Sequence, residues 1–175
     1  MDFISQIEHD PDNIGIIATT SPKLIEYVEQ NLEKFITEAK RKKIILKALK
    51  NSLLIKAKTK DELIRITNLI SSEHLEIMTE NPREFMKYVN NAGAIFLGAY
   101  SPVPLGDYSA GTNHILPTGG SARRYSGLNT FEFLKTIDVL ECTKTGIENL
   151  KKSATKIARF EKLSAHKRAI EKRLD

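Results

Sequence analysis

Glu73 and His74 are adjacent ionisable residues in a stretch that also holds several apolar side chains. Burial and mutual contact can shift the pKa values of such a pair, and an imidazole titrates in the range where it can accept a proton near neutral pH. A polar pair at the start of a strand is, however, the commoner reason for a Glu-His sequence. The two side chains are therefore candidates for acid-base chemistry that needs support from other residues.

Gln6 and His9 form a second candidate pair, three residues apart near the amino terminus. The apolar residues of segment 2–8 have helical spacing, which predicts a short helix. If that helix reaches His9, an amide oxygen and an imidazole nitrogen can point towards one metal ion. Taken alone, the spacing favours a surface helix end over a metal site.

The stretch Ser101–Ser126 holds three of the six prolines and four of the nine glycines. So many residues with special backbone requirements predict a loop folded tightly in one shape, and such loops commonly carry a site. Asp107 follows a predicted strand, so it is either a metal carboxylate beyond the strand end or a turn former after Gly106. His114 is interpreted as a structural, hydrogen-bonding histidine and is left out of the site.

The order of residues in this loop resembles a family signature. Pro-Leu-Gly-Asp-Tyr-Ser-Ala-Gly, followed by Asn-His-Ile-Leu-Pro-Thr-Gly-Gly-Ser-Ala-Arg, is similar to the signature loop of histidinol dehydrogenase. Three further segments resemble that family's sites, namely Gln6-Ile-Glu-His9, Ser72-Glu73-His74-Leu75-Glu76 and Glu161-Lys-Leu-Ser-Ala-His166. The resemblance covers essentially the whole chain but only the carboxy-terminal portion of the family pattern, because the family's chain is much longer.

The resemblance implies an enzyme that oxidises L-histidinol to L-histidine through histidinal, the last step of histidine biosynthesis, with zinc and two NAD molecules. Residues matching the family's zinc ligands are Gln6, His9, Asp107 and His166. Residues matching its substrate contacts are Gln6, His9, His74, Asp107, Glu161 and His166. In the same comparison His74 is the catalytic base, and Glu73 activates water for the second oxidation.

The chain departs from the family pattern at two positions and lacks one region. Ser72 stands where the family commonly has proline, and Lys162 stands where it has glycine. The region that holds NAD in the family is missing, and the Gly119-Gly120 pair follows Pro117-Thr118 rather than a strand, so the NAD-binding residues stay unknown. We therefore expect the isolated chain to bind zinc but to reduce little or no NAD unless a separate amino-terminal half is supplied.

A non-catalytic metal-binding or assembly module that retains the fold is the alternative function. Glu73 and His74 argue against it, because neither matches a metal ligand of the family and both are retained. A decayed enzyme would be expected to lose some of the matched site residues, and all of them are present. A nucleic-acid binder is a weaker possibility. The net charge of +5 comes mostly from basic clusters at 40–50 and 151–173, where few aromatic residues interleave, which favours a solvated helix surface.

The elements needed to position these residues predict an α/β fold. Strands are expected at 14–19, 52–57, 92–98 and 138–142, alternating with helices at 22–36, 41–50, 59–69 and 81–89. Ser21, Thr59 and Asn81 are expected at the starts of helices. This rhythm indicates an incomplete Rossmann-like layered domain with a mainly parallel sheet, followed by a short helical carboxy-terminal tail.

We predict three parts: an α/β domain at 1–128 with the metal and catalytic residues, a connecting segment at 129–154, and a helical tail at 155–175. A short helix is expected from Asn129 or Thr130, and helices beyond Thr145 with a break at Leu163-Ser164, where Ser164 caps the last one. The tail is too short to bury itself alone. By resemblance it docks on a partner subunit of a homodimer and completes the partner's active site.

The single cysteine, Cys142, excludes an internal disulfide and a cysteine-based metal site. The acidic amino terminus lacks the apolar core of a signal peptide, and no apolar run approaches the roughly 20 residues needed to cross a membrane. We therefore expect a cytoplasmic protein with no membrane partner.

Overall fold

The computed structural model describes residues 1–174, which form an α/β structure. The chain divides into two compact units, one spanning Met1–Phe133 and the other beginning at Leu134. The predicted α/β class is confirmed, whereas the predicted three-part division at 128 and 154 stays a prediction. No helix among the described residues is both long and apolar enough to cross a membrane.

The first unit contains four short strands that pair in parallel. Strand β1 (Ile16–Thr19) pairs with β2 (Leu53–Lys56), and β3 (His74–Ile77) pairs with β4 (Ala94–Leu97). The sequence predicted one mainly parallel sheet, but the described residues form two separate sheets of two strands each. Each strand has only four residues, and no further strand among residues 1–174 joins either pair, so the Rossmann-like arrangement is not confirmed.

Several helices of the first unit begin where the sequence signals predict, but the last of them, inside the proline-rich loop, was not predicted. The helices of this unit are α1 (Asp2–Ile7), α2 (Pro22–Glu38), α3 (Lys42–Ala48), α4 (Lys60–Ile70), α5 (Pro82–Met86) and α6 (Val103–Tyr108). Ser21 Oγ accepts a hydrogen bond from the Leu24 amide at 3.3 Å, and Thr59 Oγ1 accepts one from the Glu62 amide at 3.1 Å. These side chains satisfy amides that have no acceptor within their own helix, which fixes both starting points.

The apolar core of the first unit joins its amino-terminal helices. Its buried members come from α1, α2 and α3, namely Ile4, Ile7, Ile36, Ile45 and Ala48. Ile7 and Ile45 are fully buried, so α1 is held by its apolar face although it has only six residues. This packing fixes the position of the helix that carries Gln6.

Several predicted boundaries are wrong. Helix α1 ends at Ile7 rather than at residue 8, and α5 ends at Met86 rather than at Val89. The predicted strand 138–142 is not a strand, and its apolar residues Val139 and Leu140 are 88% and 89% exposed. Extended apolar residues form a strand only when a neighbouring strand accepts and donates hydrogen bonds, and none of the described strands does so here. The expected short helix is a 3₁₀ turn at Thr130–Phe133.

The second unit contains two helices that contact each other, α7 (Lys144–Phe160) and α8 (Ser164–Glu171). Thr143 Oγ1 accepts a hydrogen bond from the Gly146 amide at 3.0 Å and so caps α7. The predicted break is present, but Leu163 is the N-cap of α8 and Ser164 already lies inside the helix, so the predicted Ser164 cap is wrong. Lys162 has a φ of +60°, and this left-handed residue turns the chain between the two helices.

Candidate active site

His74 begins β3 and is held in a mostly buried position. Its imidazole is 14% exposed, and the ring lies beside Phe96 of β4, with 6.1 Å between the ring centroids. Both ring nitrogens are buried without a hydrogen-bond partner. Leaving buried polar atoms without a partner costs free energy, so such atoms point to a ligand, an ion or a water.

Asp107 faces His74 from the last turn of α6. The Oδ1 atom of Asp107 lies 3.7 Å from the Nε2 atom of His74, and the aspartate side chain is 21% exposed. This separation is longer than a hydrogen bond, so the carboxylate lies near the imidazole without satisfying either of its nitrogens. The two residues come from different segments, 33 positions apart in the sequence, and the fold brings them together.

His114 lies near the same carboxylate oxygen of Asp107. Its Nδ1 atom is 3.5 Å from Asp107 Oδ1, and its side chain is 72% exposed. The sequence interpretation left His114 out as a structural histidine, and the structure puts it beside the carboxylate of the candidate site. Its position in the same proline- and glycine-rich loop, seven residues after Asp107, is the signal that could have identified it.

The edge of the sheet next to Glu73 is closely packed. The amide of Gly93 donates to the Ser72 carbonyl at 2.9 Å, and the amide of Ala94 donates to the Glu73 carbonyl at 2.8 Å. A Cβ atom at Gly93 would lie 2.6 Å from the Glu73 carbonyl oxygen, so only glycine fits there. Strand β4 thereby fixes the backbone of the Glu73-His74 pair.

Side-chain hydrogen bonds hold the loop after α6 at two places. Arg123 donates from Nε to the Ser71 hydroxyl at 2.8 Å and from its terminal nitrogen to the Leu69 carbonyl, two residues before Ser71. The Asn113 side chain donates to the Leu128 carbonyl and accepts from the Ile115 amide at 2.8 Å. Part of the predicted loop is helix α6, and these hydrogen bonds hold the remainder at Asn113 and Arg123.

The other predicted site residues belong to other elements than His74 and Asp107. Gln6 is in the last turn of α1, while His9 is exposed beyond the helix end, so the condition for a shared helical face is not met. Glu161 ends α7 and His166 lies in the first turn of α8, both exposed in the second unit. The structure therefore brings together His74 and Asp107 among the predicted site residues, with Glu73 adjacent in the chain.

Comparisons with known proteins agree on one family. A sequence profile described as histidinol dehydrogenase matches residues 1–174. The histidinol dehydrogenase of Methanococcus maripaludis is 46% identical over the whole chain, which spans 41% of that protein, and the Methanocaldococcus jannaschii enzyme is 44% identical over 99% of the chain and 40% of its own length. The chain belongs to the histidinol dehydrogenase family.

A solved structure supports the same assignment. The crystal structure of histidinol dehydrogenase from Elizabethkingia anophelis matches 99% of the chain with a TM-score of 0.92 and 38% identity. The chain covers 40% of that structure, and it spans about two-fifths of the length of the curated relatives it matches. The predicted resemblance to the carboxy-terminal portion of a histidinol dehydrogenase is confirmed.

The residues that resemble the zinc ligands of histidinol dehydrogenase fit such an ion in their donor chemistry. Asp107 offers a carboxylate, and His9 and His166 offer exposed imidazoles, while zinc in proteins is bound by imidazole nitrogen and carboxylate oxygen. Within residues 1–174, however, no three His, Cys, Asp or Glu side chains are placed to hold a metal together. His166, one of the four predicted ligands, belongs to the second unit.

Proposed function

We propose that the chain is the carboxy-terminal part of a zinc- and NAD-dependent histidinol dehydrogenase that converts L-histidinol to L-histidine through histidinal. The observation that carries the proposal is the position of His74, whose buried, unpartnered imidazole faces Asp107 across 3.7 Å. A histidine in this setting is suited to accept a proton from a bound alcohol.

His74 acts as the base of the first oxidation in this proposal. Loss of hydride from the alcohol carbon forms the carbonyl, and the hydroxyl proton goes to a ring nitrogen of His74. Glu73 acts in the second oxidation by taking a proton from the water that adds to the aldehyde. The hydrate then loses a second hydride and a proton to give the acid.

The other predicted residues hold the substrate and the metal. Substrate contacts are assigned to Gln6, His9, His74, Asp107, Glu161 and His166, and metal contacts to Gln6, His9, Asp107 and His166. Zinc, when bound, supplies a positive charge that fixes and polarises the polar atoms of the amino alcohol. NAD would be held by the part of the longer family enzymes that this chain does not span, and it would supply the hydride acceptor.

The proposal includes a homodimer in which the tail of one subunit completes the partner's site. It also includes a separate amino-terminal half, which corresponds to the part of the family enzymes that this chain does not span. Two-stranded parallel sheets support association, because parallel sheets are normally covered on both faces and contain more strands. Leu53 and Ile95 on these strands are partly exposed, at 53% and 36%. A cytoplasmic location is part of the same proposal, supported by the biosynthetic reaction.

Metal content and oligomeric state test the assembly first. We expect elemental analysis of the size-exclusion peak, from protein purified without chelator, to find about one zinc per chain in a dimer. A monomer that takes up no added zinc would contradict the assembled site.

Catalysis is tested by mixing the chain with the amino-terminal three-fifths of the Methanococcus maripaludis enzyme and following NADH formation with histidinol. The mixture should reduce NAD, whereas each component alone should not. If the two parts fold and associate but show no activity, the alternative function is favoured, namely a non-catalytic metal-binding or assembly module. That alternative is supported by the chain's coverage of only two-fifths of its relatives. Turnover by the isolated chain would contradict the need for a second half.

A further inference from the structure

Glu76 makes a hydrogen bond between β3 and the start of α6. Its Oε1 atom accepts from the amide of Val103 at 3.0 Å. Val103 is the first residue of α6, so its amide has no acceptor within the helix. The carboxylate therefore attaches the first turn of α6 to the strand that carries His74.

Helix α6 is short, so its first turn determines where Asp107 lies. Asp107 follows Val103 by four residues, which is about one turn and about 6 Å along the helix axis. Because side chains alternate along a strand, Glu76 and His74 project from the same face of β3. Glu76, which holds α6, and His74, which faces Asp107, therefore project from the same face of β3.

Phe96 provides a second contact for the same helix. It lies opposite Glu76 in the strand register, and its ring packs beside His74. Gly106 of α6 is buried against Phe96, where an added Cβ would lie 2.5 Å from the ring. The hydrogen bond to Val103 at one end of α6 and the contact of Gly106 at the other end together hold the helix on the β3–β4 pair.

We propose that Glu76 is a positioning residue that sets the separation between His74 and Asp107 by holding the first turn of α6 on β3. The inference rests on the proposed function for its consequence, since Asp107 is an assigned metal ligand and His74 the assigned base. The hydrogen bond to a backbone amide needs an acceptor oxygen at this position rather than a negative charge. Glutamine can therefore replace glutamate here, whereas alanine cannot.

The test compares two pairs of variants of the full chain. Glu76→Ala removes the acceptor and Glu76→Gln keeps one. Val103→Pro removes the donor at the first helical position, where proline is accepted, and Val103→Ala keeps it. Glu80→Ala, at an exposed position shortly after β3, is the control for loss of an acidic residue. The readouts are the zinc affinity by calorimetry and the His74 to Asp107 distance in crystal structures.

We expect Glu76→Ala and Val103→Pro to weaken zinc binding about tenfold or more and to move Asp107 by about 1 Å relative to His74. Glu76→Gln, Val103→Ala and Glu80→Ala should stay close to the wild type in both readouts. In Glu76→Ala, the Val103 amide should also exchange its hydrogen at least about tenfold faster, because it loses its acceptor.

An unchanged His74 to Asp107 distance in both disrupting variants would overturn the inference, as would equal effects of Glu76→Ala and Glu76→Gln. Failure of the proposed function has a different result. A wild-type chain that binds no zinc would contradict the proposed metal site, while the distance and the Val103 exchange rate would still decide the role of Glu76.

Discussion

His74 differs from the other histidines of the chain in its surroundings. Its ring is mostly buried, both nitrogens are unpartnered, and a carboxylate lies 3.7 Å away, whereas His9, His114 and His166 are exposed. The sequence identified His74 by resemblance alone, since an isolated Glu-His pair is commonly structural. Its burial without a hydrogen-bond partner is the observation that supports the proposed role of His74.

Asp107→Asn and His74→Asn should separate metal binding from proton transfer. The amide of asparagine is a weaker, neutral ligand, so Asp107→Asn should reduce zinc affinity by about tenfold or more while the fold is retained. His74→Asn should leave zinc affinity within a few-fold of wild type and abolish turnover in the complemented enzyme. Calorimetric zinc titration of both variants measures the difference, and equal loss of zinc would show that His74 is misassigned.

Glu76 predicts a pH dependence of stability. Burial raises the pKa of this carboxyl above the 4.5 of an ordinary glutamate, and the hydrogen bond from Val103 offsets part of that effect. The folded state therefore favours the protonated carboxyl of Glu76. The stability that protonated Glu76 contributes is fully present below pH 4.5 and is lost as the pH rises through the raised pKa.

Glu76→Gln should consequently become more stable relative to wild type as the pH rises from acid to neutral, because glutamine carries no charge to bury. Urea denaturation of both proteins at a series of pH values measures this difference. Glu80→Ala provides the comparison for an exposed carboxylate, and a difference between Glu76→Gln and wild type that does not change with pH would disprove the burial of charge at Glu76.

At the scale of elements, local signals predicted where helices start better than where they end. Ser21 and Thr59 cap α2 and α4 as predicted, because a side-chain oxygen next to a free amide acts without help from the rest of the fold. The end of α1, the short α5 and the missing strand at 138–142 depend on neighbours that are remote in sequence. The sequence also did not predict α6 inside the proline-rich loop.

Gly106→Ala should disturb the contact between α6 and β4. The added methyl would lie 2.5 Å from the Phe96 ring and 2.9 Å from Thr112 Oγ1, so one element must move. We expect the free energy of unfolding to fall by about 1–3 kcal/mol and zinc affinity to fall with it. Chemical denaturation measures the first effect. Ser109→Ala, at an exposed position just beyond the same helix, should change stability by less than about 0.5 kcal/mol, and an equal effect of both would contradict the packing argument.

At the scale of the whole molecule, the chain corresponds to one part of the longer histidinol dehydrogenases that it matches. It forms two compact units and two separate parallel sheets, and it spans about two-fifths of its relatives. Two predicted metal ligands of the first unit, Gln6 and His9, and the tail residue His166 do not share an element with Asp107. The proposed metal ligands therefore come from separate elements of the chain.

Ending the chain after Phe133 should retain the first unit but weaken zinc binding, because the truncated protein lacks His166. His166→Asn in the full chain should weaken zinc binding to a similar extent, by about tenfold or more. Circular dichroism checks that the truncated protein is folded, and calorimetry measures zinc. If the zinc affinity of His166→Asn is unchanged, His166 is not a zinc ligand. This conclusion holds whether or not the truncated protein binds zinc.

The sequence by itself determined the family, the α/β class and the starts of α2 and α4, because each depends on local order and residue type. The tertiary structure alone decided that Asp107 faces His74, that His114 lies against the same carboxylate, that Glu76 holds α6, and that the strands form two sheets rather than one. These contacts join residues far apart in the chain, and their distances depend on how strands register and helices pack, which no single segment specifies.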